Sequence, residues 1–205
     1  ISRGKDEHPA DRPMQSMEKD YGISALGARW ERYGYCNLTA MPKYDGIALV
    51  KYDSGVVATA GKDGLTGENV TGITMPFMRD AVPGYGEAII RKSVFEASGL
   101  SKRYRSPRSA VAGILNAKTP ELAELAKYIE FARYNAVWIG ASGVGRTCSS
   151  AAMIKAKLAA REILKLSADF PTDGIVFRIA DDEKFLAAGR TAHHWRGQIA
   201  LKGEF

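Results

Sequence analysis

Four apolar, strand-like segments of this chain each have a charged residue embedded in them. They are Lys43 in "MPKYDGIALV", Glu87 in "GEAII", Arg178 in "DGIVFR" and Lys202 in "IALK". A charge in a strand that buries its neighbours is costly unless it is paired or used. One such lysine alone is ordinarily an edge residue or a side chain that snorkels to solvent. Four in order along one chain constrain the fold far more, because each needs a sheet that holds charge beside its apolar face. Around Lys43 the pattern is sharper. Residues two apart on a strand share a face, so Lys43 and Asp45 project together, and Gly46 admits a close backbone approach. A lysine nucleophile must be neutral to attack, and desolvation with nearby positive charge favours that form. Lys43 is therefore a candidate nucleophile.

The remaining segments predict a mixed chain. Residues 1–13, "ISRGKDEHPADRP", read as an extended lead-in. A short helix is expected within 23–33, then strands broken by a hairpin at "YDSGVV" with Ser54-Gly55 in the turn. "YGEAIIRKSVF" predicts a strand leading into a short helix. "SPRSAVAGILNA" places Ser106 and Pro107 at a helix start, and "TPELAELAKY" repeats the signal with Thr119 as the cap and Pro120 behind it. "YNAVWIG" reads as a strand, "SSAAMIKAKLAAREILKLSADF" as the clearest helix, and "TDGIVFRIA" and "RGQIALKGEF" as late strands. Without regular βαβ alternation, the expected class is α+β with mostly antiparallel sheets.

A length of 205 residues allows one sizeable core and at most two small domains. The net charge of +6 favours a polyanionic partner, nucleic acid or nucleotide phosphate. The two cysteines, Cys36 and Cys148, form neither a disulfide framework nor a zinc spacing. A cytoplasmic setting with no membrane span fits the composition. One further nucleotide signal is "GASGVGRT" (140–147), which follows the phosphate-loop pattern except that Arg146 stands where that loop has lysine. The planar guanidinium does not replace a compact ammonium between phosphates, so a phosphate-loop ATPase ranks last among the readings.

The ordered motifs resemble the covalent nucleotidyltransferase superfamily, and most closely the adenylation domain of NAD-dependent DNA ligases, of which the chain looks like a divergent member. The resemblance runs from about His8 to the end. "PKYDGIALV" is similar to the nucleophile motif, and "KDGLTGENVTG" to that family's Gly-Asp-Gly and Gly-Glu-Asp-Val-Thr segment. "YGEAIIRKSVFE", "SPRSAVAGIL", "FPTDGIVFRI" and "RGQIALK" resemble the later motifs in order and spacing.

The resemblance implies a covalent nucleotidyltransferase (ATP-grasp-like) fold: two antiparallel sheets flanked by helices, the nucleotide in the cleft between. Residues 14–205 would form the adenylation domain. Lys43 would take AMP from NAD as a lysyl-adenylate, which then passes to the 5′-phosphate of nicked double-stranded DNA. Lys202 would neutralise the α-phosphate and help keep Lys43 deprotonated. Glu87 would accept a ribose hydroxyl, Tyr134 would stack on adenine, and Arg178 would lie by adenine or phosphate. Ser16, Met17 and Met41 would line the adenylate. Asp45 and Asp173 would order Mg2+, and Arg108 and Lys62 would face nucleic-acid phosphates.

The sequence also departs from the family. Met41 stands where glutamate is common, Gly61 replaces an arginine with Lys62 one place later, and Asn116 replaces a second basic residue. The K-x-D-G motif lacks the arginine that follows it in ATP-dependent ligases, which favours NAD. Neither a nicotinamide-nucleotide-binding domain nor an OB-fold is expected within these residues. The chain is accordingly expected to need further ligase domains or a second subunit, and to use NAD weakly and ligate poorly alone. Three other readings stand beside this one: an ATP-dependent or RNA ligase of the same fold, a catalytically silent binding module, and the phosphate-loop ATPase.

Overall fold

The computed structural model describes residues 4–8, 14–22, 26–27, 32, 37–62, 64–134, 139–142 and 150–203. The strands are β1 (Lys5–Glu7), β2 (Lys19–Asp20), β3 (Asn37–Tyr44), β4 (Ile47–Lys51), β5 (Val57–Thr59), β6 (Thr66–Glu68), β7 (Gly84–Ile89), β8 (Glu130–Arg133), β9 (Ile139–Ser142), β10 (Thr172–Ile179) and β11 (Gln198–Leu201). The helices are α1 (Thr71–Met78), α2 (Lys92–Ala97), α3 (Pro107–Leu115), α4 (Pro120–Ala123), α5 (Ser150–Leu166) and α6 (Asp182–Ala187). The chain is α+β, as the lack of βαβ alternation predicts. It divides into two compact units, each with its own core. One comprises Ile1–Met14, Tyr44–Ala136 and Asp169–Pro171, the other Gln15–Lys43, Val137–Ala168 and Thr172–Phe205.

In the first unit the strands form an antiparallel sheet of order β5-β4-β7-β8 and a two-stranded sheet, β1-β6. The β4–β5 hairpin turns where expected: Tyr52 and Val56 close it, and Gly55 takes φ +84, which glycine adopts without steric cost. Helix α3 begins with the expected signal. The Ser106 hydroxyl oxygen accepts from the Ser109 N–H, the Ser109 hydroxyl oxygen accepts from the Ser106 N–H, and Pro107 opens the first turn. Thr119 occupies its N-cap position but its side chain accepts no capping bond, and α4 gives way after four residues to a 3-10 turn over Glu124–Tyr128. One face of the main sheet, including Leu49, Val57 and Ala88, shares a core with Val111, Ile114 and Leu115 of α3.

Helix α1 is the element the sequence does not announce. It holds Gly72 and Pro76, lacks a side-chain N-cap, and is kept by burial of Thr74 and Met78. Its far end is closed from another strand. The Lys51 ammonium of β4 donates to the carbonyls of Met78 (2.7 Å), Arg79 (3.0 Å) and Ala81 (2.7 Å). Lys51→Met keeps the apolar stem and removes the donors. It is expected to cost about 1–2 kcal/mol, read as a thermal midpoint lowered by roughly 2–8 °C.

The second unit is a five-stranded sheet of order β2-β11-β10-β3-β9. Pairing is antiparallel for β10–β11 and β3–β9, whereas β2 lies parallel to β11. That parallel edge is an exception that the mostly antiparallel expectation allows, and it follows from Lys19–Asp20 running alongside β11. Helix α5, rich in alanine and other good helix formers, lays Ala156, Ala160 and Ile163 onto Leu38, Ala40, Ile175, Phe177, Ile199 and Leu201. The helix expected over 23–33, the loop "GASGVGRT" with Arg146, and Cys36 and Cys148 lie wholly or largely outside the described residues. The strand that leads into that loop, β9, is an antiparallel edge strand, not the parallel strand a phosphate loop follows. Among the described residues no helix is long and apolar enough to cross a membrane.

Candidate active site

Strand alternation in the second unit decides which residues meet. Leu38 and Ala40 of β3, Ile175, Phe177 and Ile179 of β10, and Ile199 and Leu201 of β11 enter the core with α5. Their alternates, Met41 and Lys43, Val176 and Arg178, and Ala200 and Lys202, therefore share the opposite face. Its centre is apolar and buried, with Met41 4%, Val176 1% and Ala200 0% exposed. The cations lie at its margins.

Lys43 and Lys202 converge on a single carboxylate. The Lys43 Nζ donates to Asp173 Oδ1 at 2.7 Å and the Lys202 Nζ to Asp173 Oδ2 at 2.6 Å. The Lys43 side chain is 12% exposed and that of Asp173 30%. Burial by itself pushes the Asp173 carboxyl up. The hydrogen bonds from Lys202 and Lys43 outweigh that and hold it below the usual carboxylate range. Two ammonium groups against one carboxylate leave a net positive, partly desolvated centre, an arrangement that suits an anion.

Gly174 makes this convergence possible. It takes φ +154, and a Cβ there would lie 2.2 Å from the Leu201 carbonyl oxygen and 3.4 Å from the Lys202 Cα. A side chain would wedge β10 from β11 where Asp173 meets Lys202. Gly174→Ala is expected to destabilise by more than about 1 kcal/mol, read by urea denaturation.

Arg178 projects from the same face. Its guanidinium pairs with Asp182 and lies 4.1 Å from the centroid of the Phe185 ring. Ser16 and Met17 belong to a segment zipped onto the C-terminal part of this unit. The Ser16 hydroxyl donates to the His193 carbonyl at 3.1 Å, Gln15 donates to the Ala192 carbonyl at 3.0 Å, and the Lys202 N–H donates to the Asp20 carbonyl at 2.7 Å.

In the first unit the β7 alternation puts Ala88 in the helix-backed core and Glu87 on the other face, 8% exposed. Its cross-strand partners are both alanines, Ala48 and Ala132, which leave room beside the carboxylate. Glu87 Oε1 accepts the Gly46 N–H at 3.2 Å, and Oε2 accepts the Tyr134 hydroxyl at 2.5 Å. Burial, then the Glu87 charge and hydrogen bond, push the Tyr134 phenol well above its usual value, so it remains a donor. Gly46 is needed for contact: a Cβ would sit 2.1 Å from the Ala88 carbonyl oxygen. Asp45 meets Arg108 of α3 at 2.9 Å, and its N–H donates to the Pro171 carbonyl. Lys62 is exposed in the turn after β5.

Three groupings thus stand, and Asp45, which alternation groups with Lys43, pairs instead with Arg108: Lys43–Asp173–Lys202, Gly46–Glu87–Tyr134, and Asp45–Arg108. The double role of Asp173 is not evident from the sequence alone. The signal available was its place one residue before Gly174, on a strand adjacent to both lysine-bearing strands. The donor set does not fit a magnesium ion held by the protein. Both Asp173 oxygens face ammonium groups, Asp45 faces a guanidinium, and among the described residues no group of three or more His, Cys, Asp or Glu could hold a metal.

No protein-family model matches the chain. Curated relatives do. The chain is 31% identical to "DNA ligase 1" of Nocardia farcinica over 221 residues, 93% of this chain and 33% of the relative. It is 27% identical to the DNA ligase of Desulfatibacillum aliphaticivorans, over 96% of this chain and 32% of the relative, and 25% identical to that of Chlamydia caviae, over 93% and 35%. The chain spans about a third of the length of these proteins. With a similarity that covers 93–96% of its length, this chain is a divergent ligase-related domain.

Proposed function

We propose that the chain is the adenylyltransferase core of an NAD-dependent DNA ligase, with Lys43 as the covalent nucleophile. The observation that carries this is the pairing of Lys43 and Lys202 with the two oxygens of Asp173. In the resting arrangement Lys43 is a charged donor. An incoming α-phosphate attracts Lys202, which releases one Asp173 oxygen and makes that carboxylate a better acceptor for the Lys43 proton. The neutral Nζ then attacks the α-phosphorus. A P–N bond forms, the bond from phosphorus to the bridging oxygen breaks, and nicotinamide mononucleotide leaves with the electron pair.

Glu87, oriented by Tyr134 and the Gly46 N–H, accepts a ribose hydroxyl. Met41, Ser16, Met17 and Arg178 line the adenylate, while Arg108 and Lys62 hold DNA phosphates. The adenylate then passes to the 5′-phosphate of a nick, and the 3′-hydroxyl displaces AMP to seal the strand. Any magnesium would be held by the nucleotide phosphates, since the described residues build no centre for it. NAD is favoured over ATP because no arginine follows the K-x-D-G motif.

Donor choice is tested by incubating the chain with magnesium and either NAD or ATP and taking intact-protein masses. Gain of one AMP with NAD and none with ATP is expected. Gain with ATP alone would overturn the donor assignment and favour an ATP-dependent enzyme of the same fold.

A further inference from the structure

From Ala97 to Pro120 the chain contains no Asp or Glu but five cations: Lys102, Arg103, Arg105, Arg108 and Lys118. Against a whole-chain net charge of +6, this segment carries +5. A solvated surface ordinarily mixes the two signs, and a one-sign stretch of this length produces a directed field. The cations are also held in place. Lys102 ends the 3-10 turn Leu100–Lys102, whose Leu100 is buried, and the Arg103 and Tyr104 N–H groups donate back to the Leu100 carbonyl. Tyr104 packs on Gly113 of α3 so closely that a Cβ there would lie 2.6 Å from the ring. With Tyr104 turned inward, Lys102, Arg103 and Arg105 are all exposed.

Arg108, in the first turn of α3, pairs with Asp45, and both are substantially exposed, at 54% and 38%. Among the described residues Lys102, Arg103 and Arg105 have no acidic partner. Arg103, whose guanidinium lies 5.7 Å from the centroid of the Tyr104 ring, and Arg105, two residues on, carry guanidinium groups that suit phosphate oxygens, which such groups bind in forked geometry.

We infer that Lys102, Arg103 and Arg105 form a phosphate-binding ridge for the backbone of duplex DNA, read without regard to base sequence. The inference rests on the ligase reading for the identity of the polyanion. The ridge adds contacts beyond Arg108 and extends the footprint of this unit along the duplex. It supplies affinity and positioning and takes no part in forming the lysyl-adenylate.

The test is fluorescence anisotropy with a nicked duplex over 50–200 mM salt, comparing the full chain with the K102A/R103A/R105A variant. The expected result is about a 10-fold or greater loss of affinity at low salt and a salt slope reduced by roughly 2–3. Thermal midpoint and AMP gain from NAD stay unchanged. An unchanged affinity and slope, or no duplex binding by the unaltered chain at the lowest salt, would overturn the ridge. Equal loss of binding to heparin would overturn the assignment to DNA. Failure of the two readings is distinguishable: a reduced slope in a chain that never accepts AMP sinks the ligase reading alone, and AMP gain with an unaltered slope sinks the ridge alone.

Discussion

Lys43→Ala is expected to lower AMP transfer from NAD by at least about 10^3-fold, with the intact mass staying at that of the bare chain. Lys43→Arg is the sharper variant. It keeps a cation against Asp173, 2.7 Å away in the native pair, but a guanidinium is protonated at any accessible pH and offers no nucleophilic lone pair. It is expected to fold at near-native stability and to be equally inactive. An arginine variant that still accumulates AMP would show that the adenylate forms elsewhere.

Asp173→Asn is expected to produce the second-largest effect, and on two readouts. It removes the carboxylate that Lys43 and Lys202 share and leaves two ammonium groups facing an amide. Because the site is partly solvated, the cost is about 1–2 kcal/mol, below that of a fully buried broken pair. AMP transfer should fall by about 10^2-fold or more, since the Lys43 proton loses its acceptor.

The pH dependence has a definite sign. The Asp173 carboxyl is held below its ordinary value in the folded chain. Its contribution to stability is present above the unfolded-state value of about 3.9 and is lost as pH falls through the lowered folded value. Acid unfolding followed by circular dichroism should therefore show a shallower loss of stability below about pH 4 in Asp173→Asn than in the native chain. Identical acid limbs would remove Asp173 from the account.

Much of this arrangement was legible in the sequence because it depends on local rules. Ser106-Pro107 fixes a helix start, Ser54-Gly55 fixes a hairpin, and strand alternation puts Lys43 and Glu87 opposite the helix-backed faces. The resemblance supplied the order of motifs. What the sequence withheld depends on tertiary contact. Helix α1 has poor intrinsic propensity and exists through burial of Thr74 and Met78 and the Lys51 cap. Tyr134 reads as a stacking aromatic, yet its hydroxyl is bound to Glu87, a contact set by the β7–β8 register. Asp173 and Asp45 read as metal-ordering carboxylates, but each faces a cation brought to it from a distant part of the chain. Composition gives net charge but cannot say which cations are paired, and that separates Arg108 from Arg103 and Arg105.

The most direct test of the central claim is peptide mapping by mass spectrometry of the chain after purification, after incubation with magnesium and NAD, and after incubation with a pre-adenylated nicked duplex. The last supplies AMP by the reverse transfer and needs no nicotinamide-nucleotide-binding domain. The account predicts one AMP, on the peptide that contains Lys43, joined through an acid-labile phosphoramidate. AMP on any other residue, or none from any of the three preparations, would contradict it.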